Sequence, residues 1–302
     1  MTLNLLTEDI KLNMANPKVF KFKTNAQRFK INFKVTDIIR GNYPHVGIPA
    51  HEGIMVLYRK SVNSPQKDLK ERTWYNVEAY TERYDTTVFM HHLVKPGEEY
   101  EVMIYGPILS KISQLEIEHP EGTFAEEIKE SPKSKILVAG GTMSFGIGCT
   151  TSAMLFSSIL SRKFNASVDH LTFNNSNYLT DINNYYKENN EKNEYDIGIL
   201  ELDYSNQKDE LVDTYLKNVI TMMKSHCKKL ICWYSLPPYR SYKKNKINTI
   251  LNEIPSENII FQDISYLFDK ENVDICSYSG NFINDSGNML IYKKLEEIIR
   301  SL

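Results

Sequence analysis

Between Lys135 and Thr150 the chain reads KILVAGGTMSFGIGCT, an apolar run that breaks into a turn of glycines and small hydroxyl residues. No other stretch limits the fold as strongly. Ile136, Leu137 and Val138 suit a strand buried on both faces. Gly140, Gly141, Gly146 and Gly148 allow a sharp turn and close approach of the backbone. Leu155, Phe156, Ile159, Leu160 and Phe164 then recur at helical spacing. Strand, turn, helix is the order that puts such a turn at the carboxyl end of a strand, where α/β sheets hold their ligands.

The chain differs on the two sides of this turn. Upstream, KVFKFK and RFKINFKV alternate polar and apolar residues with period two, and GIMVLYRK, TWYNVEAY, TTVFMHH and EYEVMIYG follow at sandwich-like spacing. Residues 1–118 are therefore expected to form an all-β sandwich, with 1–17 as a frayed or docking arm. The polar, proline-punctuated stretch 119–134 reads as a linker. Downstream, the apolar runs SVDHLTF, YDIGILEL, LICWY and NIIF alternate with stretches of helical periodicity, among them one from Leu211 to Met223 and a last one from Leu290 to Ile299. That alternation predicts a parallel sheet with helices on both faces over residues 135–302.

Composition narrows the function. With 302 residues, of which 41% are hydrophobic and 25% charged, the chain is long enough for two cores. A formal net charge of −2 gives no electrostatic case for nucleic acid or an anionic membrane. The first twenty residues lack the basic and apolar regions of a secretory signal, and no stretch suits a bilayer span, so the expected location is the cytoplasm. Cys149, Cys227, Cys232 and Cys276 show no paired spacing, which argues for reduced thiols and against a zinc site. No cofactor is implied.

The order of motifs resembles the SGNH, or GDSL-like, hydrolases, especially two-domain carbohydrate-esterase-like members in which a β-sandwich precedes the hydrolase domain. GGTMSFGIGCT resembles their first block, LTFNNSNYL the second, ELDYSN the third and SGNFINDSGN the last. The resemblance implies a flavodoxin-like α/β domain and acyl transfer to water. A serine attacks the ester carbonyl, a histidine takes its proton, an aspartate orients the histidine, and backbone and amide N–H groups hold the oxyanion. Aligned on its glycines, the chain puts Gly141 and Thr142 at the first block's turn and nucleophile, and Ser144 two residues on. Asn175 falls at the second block's glycine, Asp203 at the third block's glycine, and Ser205 or Asn206 at its asparagine. In the last block Ser279 takes the aspartate position and Phe282 the histidine position. Phenylalanine accepts no proton, so the resemblance carries the architecture and withdraws the ordinary triad.

The expectation is a degenerate, non-hydrolytic protein that binds a small molecule, glycan or peptide-like ligand in the retained cleft. Gly141, Ser144, Asn175, Asp203, Ser205, Asn206, Ser279 and Phe282 are its candidate lining, with Thr142 at the nucleophile position. One alternative is a rebuilt acyl-transfer or hydrolytic site that uses Thr142, Ser144 or Cys149; another is a scaffold or partner subunit of a biosynthetic complex. His170 is weighed as a substitute base against a hydrogen-bonded structural histidine. Cys149 is weighed as a thiol nucleophile against a small buried residue. Trp233 and Tyr234 stack on a ligand or pack under the Pro237-Pro238 turn. Asp203 with Asp285 is the one carboxylate combination near the site, Asp285 being expected at a helix cap, and no metal is expected there.

Overall fold

The computed structural model describes residues 1–5, 17–36, 45–61, 74–81, 86–89, 95–129, 131–175, 177–189, 194–202, 209–234, 248–278 and 282–302. The described residues form two compact units. The first takes in those up to Ser131 together with Thr150–Ala153; the second takes in Pro132–Cys149 and Met154–Leu302.

The first unit is a sandwich of two antiparallel sheets. One runs β1 (Thr2–Asn4), β8 (Lys111–Glu118), β3 (Arg28–Thr36), β6 (Thr86–Phe89), and the other β5 (Tyr75–Thr81), β4 (Gly53–Lys60), β7 (Tyr100–Tyr105), β2 (Val19–Thr24), β9 (Ala125–Glu127). Period-two alternation places Phe29, Ile31, Phe33 and Val35 of β3 inward, against Phe20 and Phe22 of β2 and Ile54, Val56 and Tyr58 of β4. Phe22 and Phe29 meet edge to face, with ring centroids 5.4 Å apart. A short helix, α1 (Ile48–Glu52), interrupts what sequence periodicity reads as continuous β structure.

Two segments expected to lie outside the sandwich contribute strands to it. Thr2–Asn4 of the expected arm pairs antiparallel with β8, and Leu5 is buried. Ala125–Glu127 of the expected linker pairs antiparallel with β2. Both are three residues long, too short for a periodic signature, and both lie at a sheet edge, where backbone pairing alone suffices.

The second unit has a five-stranded, wholly parallel sheet in the order β11 (Ala166–Thr172), β10 (Ser134–Gly140), β12 (Tyr195–Glu201), β13 (Cys227–Tyr234), β14 (Ile259–Asp263). In chain order this is the flavodoxin-like arrangement 2-1-3-4-5. One face carries Leu137, Ala139, Leu171, Leu200 and Cys232 and is covered by α4 (Tyr178–Glu188) and α5 (Asp209–His226). A helical segment at 248–252, α6, adds Leu251 to that layer. On the other face α3 (Phe156–Phe164) packs on β11 and on α8 (Asp285–Ser301), and Phe156 meets Trp233 edge to face. Four-residue helices α2 (Thr142–Phe145) and α7 (Val273–Cys276) and a two-strand hairpin, β15 (Ser277–Tyr278) with β16 (Phe282–Ile283), complete the unit. Among the described residues no helix is long and apolar enough to cross a membrane.

Candidate functional site

In a 2-1-3-4-5 sheet the order reverses between the first and third strands, here β10 and β12, and ligands sit outside the carboxyl ends of those strands. β10 ends at Gly140 and β12 at Glu201. The glycine turn leads from β10 into α2, with Gly141 as the residue before the helix and Thr142 as its first residue.

Glu201 holds this turn. It is completely buried, and its Oε2 accepts hydrogen bonds from Gly141 N at 3.1 Å and Ser144 N at 2.6 Å. Charge-assisted bonds to two backbone donors are the kind that fix a tight turn. A Cβ on Gly141 would lie 2.9 Å from the ring of Tyr178, whose hydroxyl donates to Glu201 O at 3.1 Å, so the turn closes over α4 only with glycine there. Gly146 ends α2 in the left-handed conformation, with φ of 98°.

The same turn is fastened to the last block. Gly148 has φ of 115°, and a Cβ there would lie 2.3 Å from Ile283 O. The side chain of Asn288, from α8, donates to Cys149 Sγ at 3.3 Å while its Oδ1 accepts from Phe156 N at 3.0 Å. The first and last blocks are thus neighbours, and α2 lies against β16.

Thr142 is half-buried, whereas Ser144 and Cys149 are completely buried. Burial, with the Asp285 carboxylate adding to it, pushes the Cys149 thiol well above its ordinary pKa, the opposite of what a thiolate nucleophile needs. Among the described residues neither an imidazole nor a carboxylate is hydrogen-bonded to the Thr142 hydroxyl. The second unit contains two histidines. His170 Nε2 lies 2.8 Å from Ser157 Oγ inside the unit, and burial pushes its pKa down to about 4. His226 precedes β13, at the amino-terminal edge of the sheet, and stacks on Tyr186 at 4.9 Å.

Phe282 is half-buried on β16, directly opposite Tyr278. Asn175 is exposed, and its side chain is spent locally: Nδ2 donates to Asp181 Oδ2 and Oδ1 accepts from Asn177 N, both at 2.8 Å. Asp203, Ser205, Asn206 and Ser279 lie outside the described residues, as does the Pro237-Pro238 turn. Trp233 is completely buried and Tyr234 nearly so, which removes both as an open stacking platform. The helix cap expected at Asp285 belongs instead to Asn284, whose side chain accepts from Gly287 N at 3.1 Å, and Asp285 is the first helical residue. No cluster of three metal-ligating side chains occurs among the described residues.

Glu201 and Asn288 are the site residues that motif reasoning overlooks. Their signal is a single polar residue at an inward position of an otherwise apolar element, Glu201 closing the run IGILE and Asn288 on the buried side of α8.

No family model matches the chain, and no curated protein sequence matches it. Solved structures do. A GDSL-like lipase from Bacteroides ovatus superposes with a TM-score of 0.73 at 17% identity, over 94% of this chain and 83% of that one. A family two carbohydrate esterase from Cellvibrio japonicus gives 0.60 at 10% identity over 99% and 94% of the two chains. One from Clostridium thermocellum, an active-site mutant, gives 0.59 at 11% identity over 100% and 98%. The chain therefore has the SGNH-hydrolase fold, preceded in sequence by a β-sandwich.

Proposed function

We propose that this protein is a non-hydrolytic SGNH-fold protein that uses the cleft at the carboxyl ends of β10 and β12 to bind a small ligand. The observation that carries the reading is the setting of Thr142: its hydroxyl has no base among the described residues, and β16, the strand against its helix, carries Phe282 where the resemblance expects one. A serine-type hydrolase needs a base within hydrogen-bond reach of the nucleophile. Both histidines of the second unit are engaged elsewhere, His170 with Ser157 and His226 with Tyr186. Burial of Ser144 and Cys149 speaks against either as a replacement nucleophile.

The fold neighbours act on acyl groups or carbohydrates by name, one of them being a salicylyl-acyltransferase from a tetracycline biosynthetic pathway. Acylated sugars are accordingly the ligand class to screen first. The reading keeps the protein in the cytoplasm, where the four cysteines, all free and buried, remain reduced.

The test is an assay of purified full-length protein with short-chain aryl esters and acetylated sugars, alongside a thermal-shift screen of the same sugars. Expected are turnover equal to that of Thr142→Ala and a ligand-dependent rise in Tm. Turnover that Thr142→Ala abolishes overturns the reading.

A further inference from the structure

Beneath the glycine turn, on the α3 face of the sheet, lies a polar cluster that the cleft does not use. His170 and Thr172 are two residues apart on β11 and so face the same way; the bond from His170 Nε2 to Ser157 Oγ shows that this is toward α3. Thr172 stands in register with Gly140 on the neighbouring strand. Ser144 Oγ lies 2.9 Å from the point where a Cβ on Gly140 would be, which brings the hydroxyl over the same row. α2 packs against both β10 and β11. All four side chains are at least nine-tenths buried: His170 is 7% exposed and Ser144, Ser157 and Thr172 0%. Three of their polar atoms, Ser144 Oγ, Thr172 Oγ1 and His170 Nδ1, have no hydrogen-bond partner among the described residues.

Burying a polar atom without a partner is costly, so three in one cluster call for a ligand that satisfies them. We propose that Ser144, Thr172 and His170 hold an internal water that ties the glycine turn to the outer strand of the sheet. The chemistry of the cluster selects water over an ion. Glu201 Oε2 lies 2.8 Å from the same Gly140 Cβ point, and its carboxylate disfavours an anion. Hard cations take all-oxygen ligand sets, whereas one of the three atoms is an imidazole nitrogen, and the carboxylate beside them already spends Glu201 Oε2 on Gly141 N and Ser144 N. Two hydroxyls and a neutral imidazole nitrogen each donate or accept, and a water satisfies either sense for whichever tautomer the Ser157 bond leaves at Nδ1. The water site stands independently of whether the cleft above binds or hydrolyses.

A crystal structure at a resolution that places ordered water tests this, with Thr172→Val and Ser144→Ala solved alongside the unaltered protein and a further crystal soaked in rubidium bromide. The expected result is a peak within hydrogen-bond distance of at least two of the three atoms, with no anomalous signal after the soak, and loss of the peak in at least one variant. Direct hydrogen bonds among the side chains with no peak between them, an anomalous ion there, or a peak that keeps its full height in both variants overturns the proposal. If a variant does not fold, water-to-protein magnetisation transfer at the His170 ring protons of the unaltered protein gives the same decision: transfer from a long-lived water is expected, and its absence overturns the site.

Discussion

The glycine turn and the hairpin beside it were built to different standards. The turn is held closely: Glu201 takes two of its N–H groups, Gly148 leaves no room for a Cβ against Ile283 O, and the Cys149 side chain accepts from Asn288. At the hairpin, a ladder of only two residue pairs presents Tyr278, 38% exposed, and half-buried Phe282 on one face, with Ser277 and Ile283 buried on the other. The turn's residues shape backbone, and of the hairpin's outward residues Phe282 stands where the resemblance expects the proton-accepting histidine. Scaffold and chemistry are therefore separable here. The first is held by close backbone contacts, while the second carries an apolar ring where the resemblance expects an imidazole.

The comparison can be attacked from either side. The largest effect is expected at Gly148: alanine there combines a left-handed φ with a Cβ driven into Ile283 O, and should cost about 3 kcal/mol or more in chemical denaturation. A loss under about 1 kcal/mol, the scale of an ordinary substitution, would mean that the turn is not fastened as described. Acid should find a similar weakness. His170 is held neutral with its pKa pushed down to about 4, so the unfolded chain takes up the proton first, near its ordinary pKa of 6.5. The stability this group contributes is full above about pH 6.5 and falls as the pH drops toward 4, by on the order of 3 kcal/mol in all. His170→Gln should flatten that part of the pH–stability curve, and an unchanged slope would refute the assignment.

On the hairpin side, Thr142→Ser combined with Ser279→Asp and Phe282→His should raise ester hydrolysis over the unaltered protein by on the order of 10²-fold, if scaffold and chemistry are separable as argued. No gain in a folded triple variant would show that the scaffold has diverged as well. The smallest effect is expected for Glu201→Gln, which keeps an acceptor but loses its charge; a cost of about 1 kcal/mol by denaturant midpoint follows from weakening two charge-assisted bonds.

Legibility in the sequence followed the length and period of each signal. β3 and β4 are eight or nine residues long, and the apolar runs of β10, β12 and β13 are bounded by turns, so hydrophobic pattern alone placed them. β1 and β9 escaped because three residues define no period, and α1 because a single helical turn beginning Ile48-Pro49 sits inside β-rich sequence. At the site, Gly140, Gly141 and Gly148 announced themselves as glycines, and Phe282 could be weighed through its motif. Glu201 could not, since a carboxylate at the end of a buried strand gains meaning only when the neighbouring strand delivers two N–H groups to it. Likewise, that Ser144 and Cys149 are buried while Thr142 is half-exposed depends on the direction of each side chain from a four-residue helix and its following turn, which no spacing rule supplies.

Trp74 and Trp233 are the only tryptophans of the chain, and each belongs to a different unit. Arg59 lies over the ring of Trp74 at 4.3 Å in the sandwich, whereas Trp233 is sealed against Phe156 in the α/β unit. The molecule thus carries one tryptophan per unit, in contrasting surroundings: a partly exposed indole beside a cation and a buried indole against a ring. Replacing either with phenylalanine leaves an emission that reports on the other unit alone, so whether the two melt as one body or in sequence can be read without attaching a dye.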